Sequence, residues 1–576
     1  MKGTEMFQSK FRKRVAPAIA IAASLTLLGA CTSDTPDENA TSTDTPKEGE
    51  TSEAPKDGRP LVVWAGSQTP IAANFNPYSP TVLHAALGGV YETLFHFNKT
   101  TAGDPEAILG ESAEFNEDGT ELTIKIRQGV TWNDGTPFTV EDVIFSYTND
   151  AAKPTYLKSA EKVDDSTVKL TFDGAQFTNE FALLGASYMV PKHVFEAESD
   201  LVAFTNADAP VGTGPYVLDV ATDASYTLKA NPTYWQDGKP VIQEVQYIGV
   251  DANNSAENLL RTGQIDWAAM FVPQPDSLTA DGRLGYINTP MDPTVLYTCA
   301  NVDLGCKGAQ TDVAVRQALN LAVNRTEIKE KAFVGLTKEI SPTFALLGRD
   351  DAWIADGVEK ESPQSPNVAE ARKILEDAGY AEGADGIYAK DGQRVSMELA
   401  SVDGWSDYNS AAELIQAQAK EAGIEVKASK VTWDQFSDGR QTGNFELIMG
   451  GVVGTSVADP FQLYRDWFSG DYTKPVGEQL GAGQWNFTRY SNDVVTQAVK
   501  DAAGTNDEAA KKEAYAKIQK EIVNDLPYIP LVINATQTFY DQESFDGWPT
   551  EGDLYAFPPS WGSVSSGVIL SNLTYK

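Results

Sequence analysis

The sequence predicts an α/β protein of several domains, on three observations. Its 576 residues are 41% hydrophobic, 10% aromatic and 22% charged, globular values over a length of about three or four domains. Short apolar or alternating segments, separated by turn residues, have the pattern of strands. Segments with helix-start signals end at glycine and run directly into further strands, the order that packed α/β layers require.

In chain order, Leu61-Val62-Val63-Trp64 is a short apolar strand. Residues 121–127 alternate, with Leu122, Ile124 and Ile126 on one face, and Val168, Leu170 and Phe172 repeat that pattern. Asn133-Asp134-Gly135 marks a turn, and Thr139 with Asp142 forms a capping box for a helix through Tyr147. Asn367, with Glu370 three residues on, opens a helix that Gly379 closes. Ser410 and Glu413 open another, ended by Gly423 and followed by a strand at 424–427. A further strand is expected at 445–448, and a long helix from Asp507 to Asn524, stopped by Pro527. No repeat of 20–50 residues is present, which argues against solenoids and propellers.

Composition excludes several functions. Lys and Arg number 45 against 81 Asp and Glu, a net charge of −36, so the chain repels phosphate backbones and nucleic acid is not a partner. Three Cys exclude a disulfide scaffold, and three His argue against a multi-histidine metal site. The first 14 residues carry five bases and one acid, and an apolar run from Val15 to Leu28 follows, too short to span a bilayer. Residues 1–30 are expected to be an export signal. Its end, Leu28-Gly29-Ala30-Cys31, resembles a bacterial lipobox, which implies lipidation of Cys31; a chance Cys after an ordinary signal is the alternative. Residues 31–58 are polar and acidic and form a disordered tether, so the folded body begins near Arg59. Without residues 1–30 the chain carries −40.

Four ordered stretches carry a family resemblance: Ile126-Arg127-Gln128-Gly129-Val130-Thr131-Trp132-Asn133-Asp134-Gly135-Thr136-Pro137-Phe138-Thr139; Gly212-Thr213-Gly214-Pro215-Tyr216 with Ala230-Asn231-Pro232-Thr233-Tyr234-Trp235; Gly263-Gln264-Ile265-Asp266; and Val315-Arg316-Gln317-Ala318-Leu319-Asn320 through Arg325. Over residues 60–576 the chain resembles the family-5 extracytoplasmic solute-binding proteins of ABC importers. The resemblance implies a type II periplasmic-binding-protein fold, two α/β lobes around a ligand cleft with an extra α+β domain inserted in lobe one. Lobe one then takes 59–95, 209–295 and 534–576, the insert 96–208 and lobe two 296–533. It also implies hinge closure on a solute and delivery to a membrane permease, with no catalysis and no cofactor. The motifs themselves are expected to be structural.

Peptide binders of the family hold the ligand's ammonium with an Asp four residues before a Pro. Here Ser456 stands at that distance from Pro460, and Asp459 is misplaced. An unpaired ammonium in a closed cleft costs several kcal/mol. Gly404-Trp405-Ser406-Asp407-Tyr408 and Gly547-Trp548-Pro549 through Pro558 resemble a cello-oligosaccharide-binding branch. An oligosaccharide is therefore the expected ligand, with an oligopeptide, the family default, as the alternative. Candidate ligand residues are Trp64, Gln68 and Asn74 at the first strand, and Trp405, Asp407, Trp433, Asp459 and Trp485; core packing is the other reading of these tryptophans. Cys299 and Cys306 bracket a short polar turn and are expected to pair outside the cytoplasm, two separately buried thiols being the alternative.

An extracytoplasmic hydrolase is the rival enzyme reading. The chain has no Gly-x-Ser-x-Gly, no His-Glu-x-x-His and no phosphate loop, and Gly212-x-Gly214 runs into Pro215 rather than a helix. A nickel or haem carrier, as known in the family, would have to use the scattered His84, His96 and His193.

Overall fold

The computed structural model describes residues 58–576, except 67, 68, 80, 251, 454, 482 and 483. The export signal, the tether, Cys31 and Gln68 lie outside the described residues.

Apolar runs and alternating runs found different places. Leu61–Trp64, apolar throughout, is a central strand of a seven-stranded sheet, parallel to Glu244–Ile248 on one side and Trp267–Ala269 on the other. Buried strands of this kind need no polar face. The remaining members, 216–221, 225–230, 537–541 and 284–288, extend the sheet antiparallel. A second sheet has the order 425–431, 396–402, 447–451, 293–298, 528–533, its first three strands parallel. Period 2 sorts its two faces: Leu296, Leu399 and Met449 pack under helices 313–322, 368–377 and 406–421. Val295, Tyr297 and Ile448 meet helices 493–503 and 508–525 on the other side. The alternating segments 121–126 and 167–172 lie in a four-stranded antiparallel sheet with 110–115 and 157–162, and their apolar face buries helix 140–148.

Most boundaries expected from capping chemistry hold. Thr139 and Asp142 make the capping box, Asn367 accepts from the Glu370 N–H, and Asp507 accepts from the Ala510 N–H. One start differs: the helix ending at Glu421 begins at Ser406, not Ser410, and the Ser410 hydroxyl donates back to Ser406 O inside it. The strand expected at 445–448 is Leu447–Gly451. The chain passes between the two large sheets at 289–292, slightly before the expected limit at 295, because 293–298 pairs wholly within the second sheet. It returns at 534–536.

The sequence motifs act as bolts. Gly212 and Gly214 press on residues 89–90, where a Cβ on Gly212 would collide with Val90 O, and the Asn231 amide donates to Gly214 O at 2.9 Å. Arg316 donates to the carbonyls of Gln310, Thr311 and Asp525, and the fully buried Arg325 to those of Pro363 and Pro530. Burial pulls the Arg325 guanidinium down to about 9. Asp266, with no exposure, accepts from Arg59 at 2.7 and 2.8 Å and from the Val62 N–H at 2.8 Å. Asp266→Ala is accordingly expected to cost about 1–3 kcal/mol in urea unfolding, because it removes the acceptor of the Val62 N–H and of Arg59, whose half-exposed guanidinium keeps Asp541 as a partner. Asp219→Ala, which breaks only the exposed pair with Lys229, should leave the urea midpoint nearly unchanged.

Candidate functional site

Strands 396–402, 425–431 and 447–451 run parallel, so their C-terminal ends open on one edge of the second sheet, where α/β folds bind ligands. Trp405 follows the first strand, Trp433 the second, and loop 452–460 the third. Trp405 lies 5.8 Å from Trp433 and 5.3 Å from both Phe436 and Tyr408, ring centre to ring centre. Tyr408 Oη reaches Thr294 Oγ1 at 3.0 Å and receives Asn534 Nδ2 at 3.4 Å, which ties this aromatic group to the strands that join the lobes. Trp433 is 50% exposed. Trp485 stacks on Trp467 at 5.8 Å and meets Phe487, and Arg440 bridges Phe487 to Trp433. The structure therefore brings Trp405, Trp433 and Trp485 into one aromatic assembly.

A cavity of about 350 Å³ opens where the lobes and the inserted domain meet. Its walls are Phe97, Lys99, Phe181, Tyr188, Phe557 and Trp561, with Ser563 and Ser565 on one side and Ser456 reaching in from the second lobe. The Lys99 ammonium sits 4.2 Å from the centre of the Phe557 ring and 3.3 Å from Asp292. No Asp or Glu is among the described lining residues. A cavity of about 390 Å³ beside Cys299 and Cys306 is lined by one lobe alone, so closure cannot shape it. Those two cysteines are joined as a disulfide, with Cα atoms 5.4 Å apart.

Three of the expected ligand residues, Trp64, Asn74 and Asp459, are engaged in structural contacts, as is Trp548 of the second cello-oligosaccharide-like stretch. Trp64 is 2% exposed and donates Nε1–H to Val250 O. Asn74 is buried, its amide spent on Ser79 and Thr81 and its carbonyl on the Asn76 N–H. Asp459 accepts from Tyr515 Oη, Lys511 Nζ and the Phe461 N–H, anchoring its loop to helix 508–525. Trp548 is buried against Trp267 and Tyr540 and donates to Asp541 O. The stretch that held Trp548 nevertheless leads into the cavity, through Phe557. Sequence reasoning missed Phe97 and Trp561, lone aromatics in loops, and Phe181, in the five-residue helix 180–184, since none of these segments is long enough to carry a periodic signal. Of the histidines, His96 meets Ser565 and His193 meets Asp134. Among the described residues no group of three or more His, Cys, Asp or Glu could hold a metal ion.

Asp407 occupies the first turn of helix 406–421 beside Trp405, and burial pushes its carboxyl up to about 6. A carboxyl raised above its unfolded value adds stability at low pH that is lost as pH rises through about 6. Asp407→Asn should therefore raise the unfolding free energy at pH 7.5, by about 1–2 kcal/mol, and leave it unchanged near pH 3. Chemical denaturation at the two pH values reads the difference.

Residues 104–474 match the bacterial extracellular solute-binding proteins, family 5. Protein XP55 of Streptomyces lividans is 29% identical over 459 residues, covering 77% of this chain and 79% of that protein. The oligopeptide-binding protein AppA of Bacillus subtilis is 27% identical, covering 73% and 76%. A mannohexaose-bound periplasmic oligopeptide-binding protein of an ABC transporter from Thermotoga maritima superposes with a TM-score of 0.80 at 23% identity, over 91% of this chain and 100% of that one. The two-lobe fold and a family match over most of the folded body agree: the chain belongs to family 5 of the bacterial extracellular solute-binding proteins.

Proposed function

We propose that this extracellular solute-binding protein captures an oligosaccharide, closes its lobes on it and hands it to an ABC permease, without making or breaking a bond. The cavity carries that reading: aromatic faces and hydroxyls surround it, Ser456 enters it, and its described lining residues include no Asp or Glu to pair with a peptide's ammonium. Sugar rings stack their apolar faces on aromatic rings, each contact worth about 1 kcal/mol beyond buried area. The Thermotoga protein, bound to mannohexaose, supports the same reading.

An oligopeptide is the second reading. AppA is named for oligopeptides, and Asp407 offers a carboxylate near the aromatic assembly. Isothermal titration with cello-oligosaccharides, mannohexaose and a tripeptide pool separates the two. Glycan binding should be insensitive to salt, whereas peptides held by charge should weaken as salt rises. Trp561→Ala, in the cavity wall, should weaken glycan binding about tenfold. Salt-sensitive peptide binding with no heat from any glycan overturns the oligosaccharide.

We also propose that the chain is anchored to the membrane through a lipid on Cys31, after removal of residues 1–30. Cys31→Ala should abolish labelling by radioactive palmitate and release the protein or leave its precursor uncleaved; undiminished labelling overturns the anchor.

A further inference from the structure

Opening the cleft must break bonds that cross between the lobes, and one residue makes such a bond while gripping the loop that enters the cavity. Arg349 is buried in the second lobe, paired with Asp350 through Nε at 2.7 Å and Nη2 at 2.9 Å. Nη2 also donates to Thr455 Oγ1 at 2.8 Å, and Nη1 to Thr455 O at 3.0 Å. Across the junction Nη1 donates to Lys99 O at 2.8 Å. Thr455 Oγ1 in turn donates to Val457 O at 2.7 Å, closing a turn around Ser456, the second lobe's contribution to the cavity wall among the described residues. On the far side, Lys99 lines the same cavity. Arg349 and Asp350 also pack with Met291 in one crossing and with Pro293 and Ile533 at the strand ends beside the two crossings, around a void of about 10 Å³.

We propose that Arg349 is a positioning residue that couples the loop carrying Ser456 to lobe closure. One planar guanidinium satisfies the loop and the opposite lobe together, so the ligand-facing shape of 455–457 and the closed arrangement stabilise each other. A solute braced on Ser456 then favours closure, and closure favours the solute by the same factor. Lysine, with a single point charge, cannot reproduce this fork. Arg465 supplies the contrast: it bonds Asn179 across the junction and pairs with Asp466, and none of its bonds goes to residues 455–457.

This coupling rests on the capture-and-closure reading but not on the solute's chemistry, so its test uses the ligand-free full chain. In Arg349→Met/Asp350→Asn the partner carboxylate is neutralised, so no buried charge is stranded. Small-angle X-ray scattering should give a larger radius of gyration than wild type, and hydrogen exchange at residues 452–458 should quicken about tenfold. Arg465→Met should enlarge the molecule without quickening that loop. Should the double variant fail to fold, Arg349→Lys is expected to show both changes at smaller size. Scattering identical to wild type, or unchanged exchange at 452–458, in a folded Arg349 variant overturns the coupling.

Discussion

Two antiparallel strands run through both sheets as one continuous ribbon, and every interlobe feature depends on it. Residues 284–288 pair with 537–541 in the first sheet, and 293–298 pair with 528–533 in the second. Between them Thr289 N–H bonds Thr536 O and Asn534 N–H bonds Asp292 O, each at 2.9 Å, so pairing continues across the junction. Within the sheets these strands have neighbours on either side or helices over them; at 289–292 and 534–536 they have only each other as ladder partners among the described residues. Bending concentrates where a ribbon is two strands wide, because fewer hydrogen bonds and packed side chains resist it. The ribbon thus sets both the pivot and the line along which the lobes meet.

Charge and aromaticity are divided between stability and binding. Asp266, Arg316 and Arg325 spend their charges on carbonyls and partners deep within a lobe. Along the cleft the chain presents rings and hydroxyls, with Lys99 as the charged group in the cavity wall, and that charge is shared between Asp292 and the Phe557 ring. Among the described residues most Asp and Glu are exposed or partly exposed, where negative charge favours solubility.

Loop 452–460 shows how a site can be held by residues remote from it in sequence. Its base is fixed by Asp459 to helix 508–525, its middle by Arg349 from more than a hundred residues upstream, and Ser456 projects between these anchors. Asp459 was a candidate ligand residue as the carboxylate nearest Pro460, although its spacing departs from the peptide binders' pattern. Its carboxylate instead has a lysine, a tyrosine and a backbone N–H already around it.

Local patterns determined the α/β class, the cap residues at Thr139, Asn367 and Asp507, the alternating strands 121–126 and 167–172, and, through four ordered motifs, the family. These features depend on neighbours a few residues apart, where backbone geometry is set by short-range sterics and hydrogen bonds. The site was legible only in part. Trp405 and Trp433 follow strand ends and keep part of their surface exposed, yet Trp64 and Trp548, no less conspicuous in sequence, are core residues. Whether an indole meets solvent or a packed wall is decided by segments hundreds of residues away, such as Pro558, whose carbonyl receives the indole of Trp267 beneath Trp548. The same holds for Phe97, Phe181 and Trp561: they form one wall because the inserted domain and the C-terminal segment fold against each other. That contact has no short-range code and exists only once the tertiary structure forms.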